Sequence, residues 1–233
     1  MKSKDKLIVA LSWLCCLAAV LCALSVIAVI VLPAVSLRLR YFFLLITGSF
    51  VFPTAAALLR SVTEVNEHVK KHLVRGAVLF MFVFYIVVFL SALLLAKVVG
   101  NRTGFVFQYN KYWLEDALPN LIPFSSLTRA IKGFALGKVH HMSLFVNVFG
   151  NLFLYSPFAF FVPAVSPSMR KLDSFLPFMV FLVVFVELAQ GMFGIGSFET
   201  DDIILGIGGA LIAYSVFNNG YLKGFFKNNY FYF

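Results

Sequence analysis

Charge is scarce in this 233-residue chain: only 12% of its residues are Asp, Glu, Lys or Arg. A soluble domain carries about 25%. Acidic residues are rarer still, 10 against 19 basic ones, giving a net charge of +9. A water-soluble domain is thereby excluded, and so is disorder, which needs low hydrophobicity and high charge. The chain has three cysteines, Cys15, Cys16 and Cys22, an odd number crowded into one apolar run, so no disulfide framework follows. With 15 glycines and 8 prolines it cannot be collagen-like. It also lacks the G-x-S-x-G, H-E-x-x-H and glycine-rich phosphate signatures of common hydrolases and nucleotide enzymes. No basic run accompanies a soluble domain, so nucleic acid is not an expected partner.

What the chain has is apolar surface. Hydrophobic residues make up 61%, and the mean hydropathy is +0.94. This composition predicts an all-α, polytopic membrane helix bundle. A crossing helix needs about 20 mostly apolar residues. Six such spans are expected, over residues 7–32, 41–59, 76–96, 142–165, 174–195 and 203–217. The start, with Lys2, Lys4 and Lys6 before an apolar run, resembles a signal peptide. That run exceeds an h-region of about 7–15 residues and reads as an uncleaved anchor. With both termini cytoplasmic, eleven basic residues fall inside and eight outside, the orientation favoured by the positive-inside rule. The organisation read from this pattern is a three-span region over 1–99 and an outer connection over 100–141. A three-span core over 142–222 and a tail over 223–233 complete it.

The connection before the fourth span is expected to be interfacial or re-entrant. Its Tyr112 and Trp113 suit headgroup depth, and 119–124 is too apolar for free solvent and too proline-rich for a helix interior. Ser125 is expected to cap a short helix running from Ser126 to about Lys132. The segment is either an aromatic anchor or a lid over a site.

Polar groups inside the spans carry the functional argument, because ionisable residues at membrane depth need partners. Asn147 and Asn151, four apart, share one helix face. They would bond a neighbouring helix or a ligand. Glu187 lies about 20 Å along its span by helical rise, where a charge costs at least about 2.5 kcal/mol. It must be protonated, paired or turned to a polar cavity, and Gln190 lies one turn on. Asp201 and Asp202 stand at the start of the sixth span, where they would cap that helix or face a ligand. The segment between the last two spans contains no basic residue, so Arg129 or the neighbouring Lys132 is the candidate counter-charge. Topology brings all of these, with Asn120, to one outer end. The expected ligand-binding set is therefore Asn120, Arg129, Asn147, Asn151, Glu187, Gln190, Asp201 and Asp202. No catalytic residue, metal or cofactor is assigned; Glu187 would be the acid or base of an enzyme. His68 and His72, beside Lys70 and Lys71, read as a basic headgroup-facing turn ahead of a metal site.

These residues also form a pattern. Asn120-Leu-Ile-Pro-Phe124, Asn147-x-x-Gly-Asn151-Leu-Phe-Leu-x-x-Pro157, Glu187-Leu-x-Gln190 and Asp201-Asp202-Ile-Ile-Leu resemble the VanZ-like family over roughly residues 100–217. The resemblance implies a multi-pass protein of the bacterial cytoplasmic membrane. The family's founding member is associated with reduced susceptibility to teicoplanin, a lipid-bearing glycopeptide. Three departures stand out: Gly196 where the family commonly has arginine, Glu199 for an aspartate, and Gly206 for an asparagine. Three functions are open. One is a protein that binds, or protects against, an amphipathic envelope molecule. Its partners would be membrane lipids, a lipoglycopeptide antibiotic or a lipid-linked cell-wall precursor. The second is an intramembrane enzyme modifying an envelope lipid or lipid-linked glycan. The third is a transporter, which the lack of internal repeats disfavours.

Overall fold

The computed structural model describes residues 3–31, 47–56, 59, 67–98, 111–137, 141–194, 196–220, 223, 224 and 227. The described residues form helices and turns, without strands. The elements are α1 (Ser3–Val31), α2 (47–56) and α3 (Glu67–Val98), then α4 (Trp113–Ala117), α5 (Ser125–Ala135) and α6 (His141–Leu154). They end with α7 (Phe158–Val165), α8 (Leu172–Met192) and α9 (Thr200–Phe217). Among the described residues, five segments are long and apolar enough to cross a membrane: Lys6–Val26, Lys71–Leu90, Val148–Val165, Leu172–Met192 and Thr200–Phe217. The protein is an all-α membrane helix bundle. The expected span over 41–59 is described as helix only over 47–56; most of its remainder lies outside the described residues.

Two compact units divide the chain, Met1–Val88 with Lys223–Phe233, and Phe89–Leu222. In the first, Ala23, Val26 and Phe84 form a buried cluster with Phe50, Phe80 and Val88 packed on it. Phe50 meets Phe84 edge-on at 5.6 Å, and a Cβ on Gly48 would lie 3.0 Å from the Cys22 sulfur. Ser12 and His72 line one cavity together with Ala56. These pairings run α1 and α3 in the same direction, with α2 opposed to both.

In the second unit α9 is the central element, packed on α6, α7 and α8. Its glycines explain the close packing. A Cβ on Gly206 would come within 2.7 Å of the Tyr155 ring. One on Gly209 would overlap the Leu152 carbonyl, while Gly208 meets nothing within 4 Å. Tyr155 is buried, with Phe89 edge-on to it at 5.4 Å. Lower in the bundle, Phe175 stacks on Tyr214 at 4.5 Å, whose hydroxyl donates to the Arg170 carbonyl at 2.8 Å. Asn151 bonds Asp202, Ser156 bonds the Gly209 carbonyl, and Phe160 meets Phe217, so later residues of α6–α7 meet later residues of α9. Thus α6–α7 and α9 run parallel, and α8 returns between them. Phe153, Phe181, Phe185 and Ile212 point outward, as side chains facing lipid should.

The fourth span is not the continuous helix expected over 142–165. It breaks between Leu154 and Phe158. Pro157 cannot donate to the carbonyl four residues back, and its ring crowds that turn. The Ser156 N–H takes the Phe153 carbonyl instead, at 3.3 Å. The Ser156 hydroxyl bonds both Leu152 O (2.8 Å) and Gly209 O (3.3 Å). A break at membrane depth is tolerated where such neighbours satisfy the freed backbone.

Gly209→Ala is expected to destabilise the protein by about 3 kcal/mol or more, since a rigid carbonyl must move. Gly208→Ala should stay within about 0.5 kcal/mol of wild type. Thermal unfolding of both variants in one detergent checks the contrast.

Candidate functional site

The turn after α8 creates the site. Gly194 takes φ +58°, a conformation glycine adopts without a Cβ clash. The Gly196 N–H then bonds the Gln190 carbonyl at 3.2 Å. This folds residues 196–199 back over the end of α8. The Glu199 N–H reaches Glu187 Oε2 at 3.5 Å, and the Ser197 hydroxyl donates to Glu199 Oε1 at 2.7 Å. Glu187 is only 3% exposed, so its carboxyl faces protein, not acyl chains. Its electrostatic neighbours are Asp202, Glu199 and Tyr155.

α9 begins at Thr200, three residues earlier than expected, which puts the acidic pair inside its first turn. The two carboxylates diverge. Asp202 accepts a hydrogen bond from the Asn151 side chain. Asp201 is 5% exposed and turns to α5, where it accepts from the Phe124 N–H and, at 2.8 Å, from the Leu127 N–H. Those are orphan donors of the α5 N-terminus. The cap expected from Ser125 is not formed: α5 starts at Ser125 itself, and Phe124 has no side-chain cap bond. Asp201, 74 residues from Leu127 in sequence, is the cap. The arrangement sets Phe124 in the left-handed region, φ 64°, at a cost of about 1–3 kcal/mol. Two hydrogen bonds to a charged acceptor contribute about 1.5–3 kcal/mol each, which outweighs the strain. The Thr200 hydroxyl adds a bond to Leu121 O at 3.1 Å.

Residues 118–135 are thereby fastened over the start of α9. Within that segment Arg129 donates to Asn120 Oδ1 and, at 3.0 Å, to the Ser126 hydroxyl. α5 is amphipathic: Leu127, Ala130, Ile131 and Phe134 share one face at i, i+3, i+4 and i+7. A cavity of about 390 Å³ opens between α5, α6 and the α8–α9 turn. Its polar lining is Ser126, Arg129, Asn151, Gln190, Ser197, Glu199, Asp201 and Asp202.

Of the sequence-predicted set, Arg129, Asn151, Gln190, Asp201 and Asp202 line this one cavity. Asn120 holds Arg129 at its edge, and Glu187 lies buried beside Asp202 and Glu199. Asn147 lies on α6, but its side chain is outside the described residues. Sequence reasoning missed Tyr155, buried where it feels both Glu187 and Asp202. Its signal was the continued four-residue spacing Asn147, Asn151, Tyr155. Among the described residues, no group of three His, Cys, Asp or Glu side chains is placed to hold a metal ion.

A family model described as VanZ/LLP1 matches residues 77–223. The chain belongs to the VanZ/LLP1 family. Comparison with curated proteins and with solved structures finds no match. The VanZ/LLP1 match extends the resemblance, read from the motifs over roughly 100–217, back into α3. Two departures from the VanZ-like pattern acquire a physical setting. Gly206 is overlain by the Tyr155 ring, so the asparagine common there would collide with it. Gly196 lines the cavity and lies against Gln190, with 3.4 Å between its would-be Cβ and Gln190 Cβ.

Asp201→Ala should release the segment over α9. Amide hydrogen exchange checks this: protection at Leu127 is expected to fall by about 2 kcal/mol, one charged-acceptor bond. Unchanged protection would show that the segment is held by other contacts.

Proposed function

We propose that this VanZ/LLP1 membrane protein binds the donor-rich, cationic head of an amphipathic envelope molecule, and so protects against lipoglycopeptides such as teicoplanin. The observation that carries the reading is the cavity's chemistry. Asp202 and Glu199 supply carboxyl oxygens, with Glu187 buried behind them, while Asn151 and Gln190 supply amide donors and acceptors. Gly196 leaves the cavity without the arginine common to the family pattern, so a matching cation falls to the ligand. Arg129, held by Asn120 and Ser126, would meet an acidic or carbonyl group on the same molecule. Asp201 keeps α5 in place as one wall.

The reading places the protein in the bacterial cytoplasmic membrane with both termini cytoplasmic and the cavity outward. Arg170 and Lys171 support this, standing in the turn between α7 and α8 at the opposite end of the unit from the cavity. The amphipathic α5 suits the outer interface, with Ile131 and Phe134 of its apolar face exposed.

Glu187→Gln, Asn151→Ala, Asp202→Asn and Gly196→Arg test the proposal. Each should weaken teicoplanin binding by purified protein about tenfold, the equivalent of about 1.4 kcal/mol. Each should also lower protection in cells expressing the chain. Well-folded variants that bind and protect like wild type would sink the idea.

A further inference from the structure

A second ligand-sized space lies in the first unit, far in sequence from the acidic cavity. α1, α2 and α3 enclose a cavity of about 260 Å³ whose walls include Trp13, Ala19, Pro53, Gly76 and Phe80. It adjoins a groove of about 370 Å³ along α1 and α3, and the two share Val20 and Phe80. Along α3 they extend together from His72 to Val87, about 22 Å by helical rise. Half of a hydrocarbon core is about 15 Å, so this channel covers the depth of one leaflet's acyl chains. Leu79 and Val83 on its flank are exposed, as is Leu24 across from them. The channel therefore opens sideways to lipid.

One end differs from the rest. His72 lines the cavity there, with its Nε2 3.3 Å from Nε2 of His68 one turn back. Lys71 and Arg75 flank it on the same turns of α3, and α1 begins at this end with Lys6 exposed. Glu67 is the acidic residue at this end of α3. Both spans enter the apolar region here, at Lys6 and Lys71, so the basic groups stand at headgroup level. At Gly76 a Cβ would meet nothing within 4 Å, which leaves the channel open just below the cations.

We propose that this channel is a binding site for an anionic diacyl phospholipid. One acyl chain lies between α1 and α3, and the headgroup phosphate rests on Lys71, Arg75, Lys6 and the His68–His72 pair. Charge and shape act together: the cations select the headgroup, and the apolar channel immobilises a chain that ordinary annular lipid would leave mobile. Each surface cation contributes about a fivefold preference.

Trp13, in the channel wall, reports occupancy. Full-length protein is placed in phosphatidylcholine vesicles containing a minority of phosphatidylglycerol, with bromine on the acyl chains of one lipid or the other. Fluorescence quenching is measured, and the part lost in Trp13→Phe is taken as the channel signal. Brominated phosphatidylglycerol should quench several-fold more strongly than brominated phosphatidylcholine at equal mole fraction. Lys71→Gln should cut that preference about fivefold. Gly76→Leu, which fills the channel and leaves the cations in place, should abolish the excess quenching. Inorganic phosphate should not displace the lipid. Equal quenching by the two lipids would overturn the site. So would a Gly76→Leu variant that keeps the excess, or displacement by phosphate alone.

Discussion

A carboxylate buried among apolar helices must be answered by a hydrogen-bond donor or a cation, and the acidic side chains around the α8–α9 turn organise the second unit around that demand. Asp201 is answered most fully. Both of its oxygens accept backbone N–H groups at the start of α5, so its charge is used up in holding the 118–135 segment. Asp202 has the Asn151 side chain. Among the described residues, Glu187 accepts the Glu199 N–H at the edge of bonding distance, with Tyr155 and Asp202 nearby. The three acids thus grade from a structural latch, Asp201, to Asp202 on the cavity wall and Glu187 buried behind it. That gradient separates the residues that build the cavity from those proposed to use it.

The backbone adjusts to serve the same end. Gly206 and Gly209 let α9 press against Tyr155 and Leu152, which sets Asp202 beside Asn151. The break at Ser156–Pro157 gives Ser156 a bond to Gly209 O and ties α6–α7 to α9 at that contact. Phe124 accepts a left-handed conformation so that two amides converge on one carboxylate. Small residues and a local break place the polar groups at one end of this unit, while Phe175 and Tyr214 stack toward the other.

The helical, membrane-spanning character was legible because apolar run length is a one-dimensional property. So was the gathering of Asn151, Gln190, Asp201 and Asp202, because parity of crossings fixes which helix ends share a side. What failed in the sequence depended on contacts across the fold. Ser125 is a good local cap, yet Asp201 brings a charged acceptor to the same amides from α9. Pro157 announces a break, but a run of apolar residues on both sides hides it in a hydropathy reading. Tyr155 reads as one aromatic among many until Gly206, lacking a side chain, lets its ring and Glu187 share one space. The departure at Gly206 similarly makes sense only once that ring is seen to occupy the position.

The most direct measurement asks whether Asn151 and Ser197 face one water-filled hollow reached from the cell exterior. Single cysteines at each position, in a chain with Cys15, Cys16 and Cys22 changed to serine, are exposed to a membrane-impermeant maleimide on intact cells. The account predicts labelling at both positions, slowed by teicoplanin at Ser197, where the Asn151 amide is intact. Labelling only after the cells are opened, or at Ser197 but never at Asn151, would contradict it.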